Sequence, residues 1–285
     1  MDMTRRQATI KQPVAYSGIG IHTGKEVKLR FVPAAEGEGI FFKRTDLPSQ
    51  PIIPARVEYV FDTQRSTNLA LQDVRLYTVE HVLAAVRACE IDNLCIELSN
   101  IEPPAGDGSS LIFMQLLEEA KRFEQKAKIP IRKLQNPIYF SQGTTHIVAV
   151  PSDKFTISYT LDYPSVPALG TQFFSFEVTP ANFLQEVAPC RTFALYEELS
   201  VLMDKGLIKG GSLENAVVIK HDAVISKDGL RFVNEMARHK VLDIIGDVSL
   251  IGIPFIAHII AIRSGHATNV AFAKKLYENL CLENG

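Results

Sequence analysis

Apolar and polar positions alternate in short runs early in the chain, at 7–15, 26–31, 39–43 and 54–59, the period of two that a half-buried strand needs. The period then changes. Residues 78–88 place Val79, Val82, Leu83 and Val86 three and four apart, which predicts a helix. Ile91-Asp92-Asn93 ends it before a short buried strand at 94–98. Asp107-Gly108-Ser109-Ser110 precedes the apolar run 111–117, a helix start with Ser or Asp as cap, and the charged stretch 118–128 extends that helix. Ile129-Pro130 through Asn136-Pro137 reads as a linker. The second half repeats the plan. Strands are predicted at 138–140, 145–150, 155–161 and 172–178, helices at 196–205 and 232–245, strands at 248–251 and 256–262, and a closing helix at 267–279. Strands, then helix, strand and helix, twice over, predict an α+β chain of two similar two-layer sandwich domains, 1–128 and 129–285, with the ligand site in the cleft between them.

Composition narrows the function. A formal net charge of −2 argues against a chain that wraps nucleic acid through phosphates, so an anionic ligand must be held by local Lys or Arg. Cys89, Cys95, Cys190 and Cys281 form no C-x-x-C and match neither a disulfide framework nor a zinc finger. Free thiols in a reducing compartment are expected. The N-terminal Met1-Asp2-Met3-Thr4-Arg5-Arg6 leads into polar alternation, so no signal peptide is expected. The longest apolar stretch, 250–262, is broken by Gly252, Pro254 and His258 and is too short to span a bilayer. These features describe a cytoplasmic protein, although its substrate can still be partly lipid.

The segment Arg238-His239-Lys240-Val241-Leu242-Asp243-Ile244-Ile245-Gly246-Asp247 holds the most chemistry. Its apolar positions fit a helix with one buried stripe, and His239, Asp243 and Asp247, four apart, share a polar stripe beside it. An imidazole and a carboxylate one turn apart can bind a divalent cation such as zinc, or simply hydrogen-bond on a solvated face. Glu80 next to His81 on the first predicted helix can put one group on a metal and the other at its open position, or be a surface pair. His266, in Ser264-Gly265-His266 after a buried strand, can stay protonated and stabilise negative charge, with Asp247 holding its ring, or cap a helix. Lys240 is either a phosphate ligand or a solvated lysine, and Arg191-Thr192-Phe193 either an oxyanion and sugar contact or a plain loop junction. Gly210-Gly211-Ser212 lacks the phosphate-loop pattern, and Ser17-Gly18-Ile19-Gly20-Ile21-His22 lacks the third glycine of a dinucleotide fingerprint.

Eight segments taken in order are far more specific than any one of them. Ser17-Gly18-Ile19-Gly20-Ile21-His22-Thr23-Gly24, Thr78-Val79-Glu80-His81, Ile91-Asp92-Asn93, Asp107-Gly108-Ser109, Arg191-Thr192-Phe193, Gly210-Gly211-Ser212-Leu213-Glu214-Asn215-Ala216, the Arg238 to Asp247 segment and Ser264-Gly265-His266 span nearly the whole chain. Together they resemble the zinc-dependent UDP-3-O-acyl-N-acetylglucosamine deacetylase family of lipid A synthesis.

The resemblance implies a monomeric hydrolase of two α+β domains that removes the N-acetyl group of a nucleotide-sugar lipid precursor. His81, His239 and Asp243 would hold one catalytic zinc ion, with Glu80 as general base and proton donor to the amine. His266 would be the cationic partner supported by Asp247, and Thr192 the donor to the oxyanion. Phe193 would pack on the sugar and Lys240 would meet the diphosphate. An insert in the second domain, including Gly211, Ala216 and Val218, would form the acyl-chain passage. About twelve buried methylenes at roughly 0.8 kcal/mol each would supply most of the affinity. Three positions depart from the family pattern: Ser66 stands where many members have a cysteine, Arg65 replaces an apolar residue, and Ala194 replaces a glycine. Serine is a poor soft-metal ligand, which implies weaker inhibition by excess zinc. Two histidines and a carboxylate also suit a non-haem iron oxygenase, and a fourth protein ligand would make a closed structural site, but Glu80 beside His81 suits water activation.

Overall fold

Short alternating segments become strands because one face of each has apolar surface to bury. The computed structural model describes residues 3–282; residues 1–2 and 283–285, at the outer ends of the two expected domains, lie outside the described residues. The first half runs β1 (Met3–Ile10), β2 (Val14–Ile19), β3 (Glu26–Pro33), β4 (Ile40–Arg44) and β5 (Ile52–Pro54). Then come β6 (Val60–Asp62), β7 (Asn68–Leu71), β8 (Val74–Leu76), helix α1 (Glu80–Ala88), β9 (Leu94–Leu98) and α2 (Leu111–Ala120). In β3, Val27, Leu29 and Phe31 are buried while Glu26, Lys28 and Arg30 between them are exposed, the pleat written in sequence.

The second half runs β10 (Arg122–Lys133), β11 (Ile138–Gln142), β12 (Thr145–Val150), β13 (Thr156–Tyr163) and β14 (Gly170–Glu177). The single turn α3 (Pro180–Asn182) enters a π-helical turn at Phe183–Val187. β15 (Phe193–Leu195), α4 (Tyr196–Asp204), β16 (Val217–Lys220) and β17 (Ala223–Ile225) follow, then α5 (Glu235–Ser249), β18 (Phe255–Ile256), β19 (His258–Ile262) and α6 (His266–Leu282).

Two five-stranded sheets, ordered β2-β3-β9-β4-β5 and β11-β12-β19-β13-β14, match strand for strand. Each has one parallel pair, β4 with β9 and β13 with β19, among antiparallel neighbours. In each half a three-stranded insert and a helix precede the central strand, and a helix follows it. The fold is therefore α+β, as expected. β1 pairs with β10 and β10 with β18, which ties the two ends of the plan together. The equivalent helices α1 and α5 cross at the centre. A Cβ on Gly246 would lie 2.2 Å from the Glu80 carbonyl oxygen, so only glycine allows this approach. α5 is buried on every side, with Met236, Val241, Leu242, Ile245 and Val248 fully enclosed, and not on a single stripe as its sequence suggests.

Other expectations fail for local reasons. α2 stops at Ala120 because Lys121 takes a φ of +59°, and the charged stretch after it is strand, not helix, running on through the expected linker to Lys133. The predicted strand at 54–59 is the end of β5 and a 3-10 turn at Val57–Tyr59. The one predicted at 248–251 is the last turn of α5 and its exit. No helix among the described residues is long and apolar enough to cross a membrane.

Candidate active site

The α1–α5 crossing gathers the titratable groups. His239 and Asp243 lie one turn apart on α5, with Nε2 of His239 3.5 Å from Oδ1 of Asp243. Nε2 of His81, from the first turn of α1, reaches the same oxygen at 3.7 Å, and the three ligand atoms lie within 4.8 Å of one another. Donors sharing one zinc ion at bond lengths of about 2.0–2.1 Å would sit about 3.3 Å apart. Oδ1 of Asp243 is buried and has no hydrogen-bond partner, an arrangement that is costly unless a cation completes it. Nδ1 of His239 donates to the Cys190 carbonyl at 3.0 Å, which fixes the ring and leaves the Nε2 lone pair facing that oxygen. Burial, with His81 and Lys240 adding to it, lowers the His239 pKa to about 4, so the imidazole is neutral at pH 7. Burial opposes ionisation of Asp243, yet Lys240, His239 and His266 hold it well below the ordinary carboxylate range. The residues fit a divalent metal ion.

Around this group sits a second network. Glu80 is 2% exposed; its Oε2 accepts the Thr67 amide at 2.9 Å, while Oε1 lies 3.8 Å from Nε2 of His266. Burial raises the Glu80 pKa, with His266 and His81 pulling against it. His266 opens α6, and its Nδ1 meets Oδ2 of Asp247 at 3.1 Å. Burial alone would lower the His266 pKa, but Asp247, Asp243 and Glu80 raise it to about 9. A neutral imidazole, a carboxylate of raised pKa and an imidazolium thus stand side by side.

Asp247 lies behind His266, and its oxygens are held by the Thr67 hydroxyl at 2.5 Å and the Asn269 amide at 2.9 Å. Thr67 and Asn269 lie outside the motifs that point to the site, and no periodicity marks either. Glu102 was missed as well. It is 1% exposed and accepts from the main-chain amides of His22 and Thr23 and from both threonine hydroxyls, Thr23 and Thr78. That anchors the His22 loop and steadies Thr78, whose φ is +56° at the start of α1. Ser110, expected as a helix cap, gives its hydroxyl to the His81 carbonyl instead.

His81, His239 and Asp243, the three that could hold an ion, open on one cavity of about 810 Å³. Glu80, His81, His239, Lys240, Asp243 and His266 line its polar end. Thr192, just before β15, and Phe193, its first residue, line it, as do Gly211, Ala216 and Val218 from the second insert, so every site residue read from sequence is brought here except Asp247. Lys240 gives one of its three donors to Oδ2 of Asp243 at 2.6 Å. Leu199, Leu202 and Met203 of α4, with Ile208, Val218 and Ile225, make the far end apolar. Arg65, with φ +66°, crosses the rim to pair with Glu198 of α4 at 2.7 Å, and Ala194 also lines the cavity. Ser66 is buried and donates to Asn68 at 2.8 Å, turned away from the cavity.

Comparison with known proteins agrees with this geometry. The profile described as LpxC, UDP-3-O-acyl N-acetylglycosamine deacetylase, matches residues 7–278. The UDP-3-O-acyl-N-acetylglucosamine deacetylase of Chlamydia caviae (strain ATCC VR-813 / DSM 19441 / 03DC25 / GPIC) is 51% identical over 278 residues, 98% of this chain and 99% of the relative. The proteins of that name from Chlamydia felis (strain Fe/C-56) and Chlamydia pneumoniae are 51% and 48% identical, each match covering 98% of this chain and 99% of the relative. By full-length likeness and by the residues it gathers, the chain belongs to the UDP-3-O-acyl N-acetylglycosamine deacetylase family.

Proposed function

We propose that the chain is a zinc-dependent amidase that hydrolyses the N-acetyl group of UDP-3-O-(3-hydroxyacyl)-N-acetylglucosamine, releasing acetate, in lipid A synthesis. One observation carries the metal reading: an unpartnered, buried carboxylate oxygen of Asp243 faces two imidazole Nε2 atoms at the polar end of a cavity whose other end is apolar. His81, His239 and Asp243 would hold the ion. Zinc bound there supplies a Lewis acid for the amide carbonyl and an acidified water.

The chain's own groups do the rest. Glu80 has one oxygen tied to Thr67, which leaves Oε1 to take the proton of the attacking water and then give it to the departing amine. His266, protonated and fixed by Asp247, presents Nε2–H towards Glu80 and Asp243 and stabilises developing negative charge. Thr192 donates to the oxyanion, Phe193 covers the sugar, and Lys240 offers its remaining donors to the diphosphate. The acyl chain lies along Gly211, Ala216, Val218 and the α4 leucines.

Within this reading the chain works as a cytoplasmic monomer of two domains, 1–128 and 129–285. The matched sheets fall on either side of that boundary, which runs through β10. Mass spectrometry of the acylated UDP-sugar incubated with the protein tests the proposal. Acetate release that stops with a chelator and returns with zinc is expected. Undiminished turnover by chelated, metal-free protein would overturn it.

A further inference from the structure

Glu235 opens α5 one turn before His239, so Glu235, His239, Asp243 and Asp247 share one stripe of the helix. Its carboxylate is fully buried and accepts from Nε of Arg191 at 2.9 Å, Nη2 of Arg191 at 3.1 Å, the Arg191 amide at 3.0 Å and the Arg231 amide at 2.7 Å. Arg191 is also buried and spends Nη2 on the Gly229 carbonyl at 2.6 Å as well. Neither side chain lines the cavity. Stability alone is a weak reason for such a pair, because removing two charges from water is costly and apolar residues of the same shape often serve as well or better.

What the pair holds is the segment 190–192. Arg191 is flanked by Cys190, whose carbonyl receives Nδ1–H of His239 at 3.0 Å, and by Thr192, which faces the cavity. The contacts close a ring: from the Glu235 carboxylate to Arg191, from Arg191 along the chain to the Cys190 carbonyl, from there to the His239 imidazole, and back along one turn of α5. Thr192 is pinned from its other side, its amide donating to Gly108 and its carbonyl accepting from Val217, each at 2.9 Å. A shift of the Cys190 carbonyl would rotate the imidazole and swing Nε2 away from Asp243 and His81.

We infer that Arg191 and Glu235 are positioning residues that set the ring orientation of the His239 ligand and, through the same segment, the placement of Thr192. This rests on the metal reading given above. The test measures zinc affinity of the metal-free protein by chelator competition, the visible spectrum with cobalt(II), kcat and KM separately, and the melting temperature. Parent, Glu235→Gln and Arg191→Lys are compared. Glu235→Gln keeps the shape but sets amide hydrogens against two donors. It should weaken zinc binding by about 10- to 100-fold, as loss of a ligand's supporting contact does. It should also shift the cobalt bands and lower kcat more than it raises KM. Arg191→Lys keeps the charge, loses the fork, and should fall between. If Glu235→Gln yields no folded protein, Arg191→Lys decides by the same readouts. Variants that melt earlier yet bind zinc as tightly as the parent, with an unchanged cobalt spectrum, would reduce the pair to a structural role and overturn the inference. A parent that binds neither metal would instead sink the metal reading itself.

Discussion

The equivalent helices α1 and α5 each open on a buried glutamate, Glu80 and Glu235. The two occupy the same place in a repeated plan and behave in opposite ways. Burial alone would raise both carboxyl pKa values. At Glu235 the Arg191 guanidinium and two main-chain amides override burial and hold the group below its ordinary value. At Glu80 one amide occupies one oxygen, burial wins, and the pKa stays raised. A carboxylate meant to trade protons needs an unsatisfied oxygen and a pKa drawn towards neutrality, whereas one meant to hold a segment needs every lone pair engaged. The inserts diverge in the same sense. The β6–β8 insert brings Thr67 against Glu80 and Asp247, while the insert built from β15–β17 and α4 opens an apolar space.

The sharpest way to break this comparison is at Glu80. Glu80→Ala should lower turnover by about 10²–10⁴-fold while one metal ion per chain remains. Metal loss in that variant would make Glu80 a ligand. Next comes its charged partner. The proposed mechanism needs Glu80 ionised and His266 protonated, so kcat/KM should rise with pH through a limb above the ordinary carboxylate range. It should then fall through about 9, the raised His266 value. His266→Ala should cost about 10²-fold and abolish the alkaline limb, which a pH series would read. A limb that survives the substitution belongs to another group.

Packing effects are smaller. Gly246→Ala would push a Cβ into the Glu80 carbonyl and should cost about 2–3 kcal/mol in denaturant titration, with turnover falling as α1 is displaced. Each methylene removed from the acyl chain should cost about 0.8 kcal/mol, roughly fourfold in kcat/KM, until the chain no longer reaches α4. A flat series would remove the lipid from the apolar end. Smallest is the rim pair. Glu198→Ala, breaking a contact whose partners are 44% and 36% exposed, should change kcat/KM by about fivefold or less, and by less still at high salt.

The frame was largely legible because its strands and helices are long enough to show their period. β9 and β12 have the expected limits, 94–98 and 145–150, and α1, α4 and α6 start within two residues of expectation. β6–β8 and β15–β17 escaped, since three or four residues show no period. The strand after α2 was hidden by its charges, most of which face water where it pairs with β1. Helix spacing brought His239, Asp243 and Asp247 together as candidates, whereas Gly211, Ala216 and Val218 of the cavity were expected only from the resemblance. Thr67, Asn269, Glu102 and Glu235 act through contacts distant in sequence, 180 residues apart for Thr67 and Asp247, and nothing local announces them; Arg191 stands in a motif, but its pairing with Glu235 does not show there.

Anomalous diffraction from crystals grown with zinc, recorded on both sides of its absorption edge, tests the shared ion most directly. The account predicts one strong peak within about 2.0–2.2 Å of Nε2 of His81, Nε2 of His239 and a carboxylate oxygen of Asp243, with a fourth position that no protein atom fills. A peak held by four protein atoms, or one bound elsewhere while these three side chains stay empty, would contradict it.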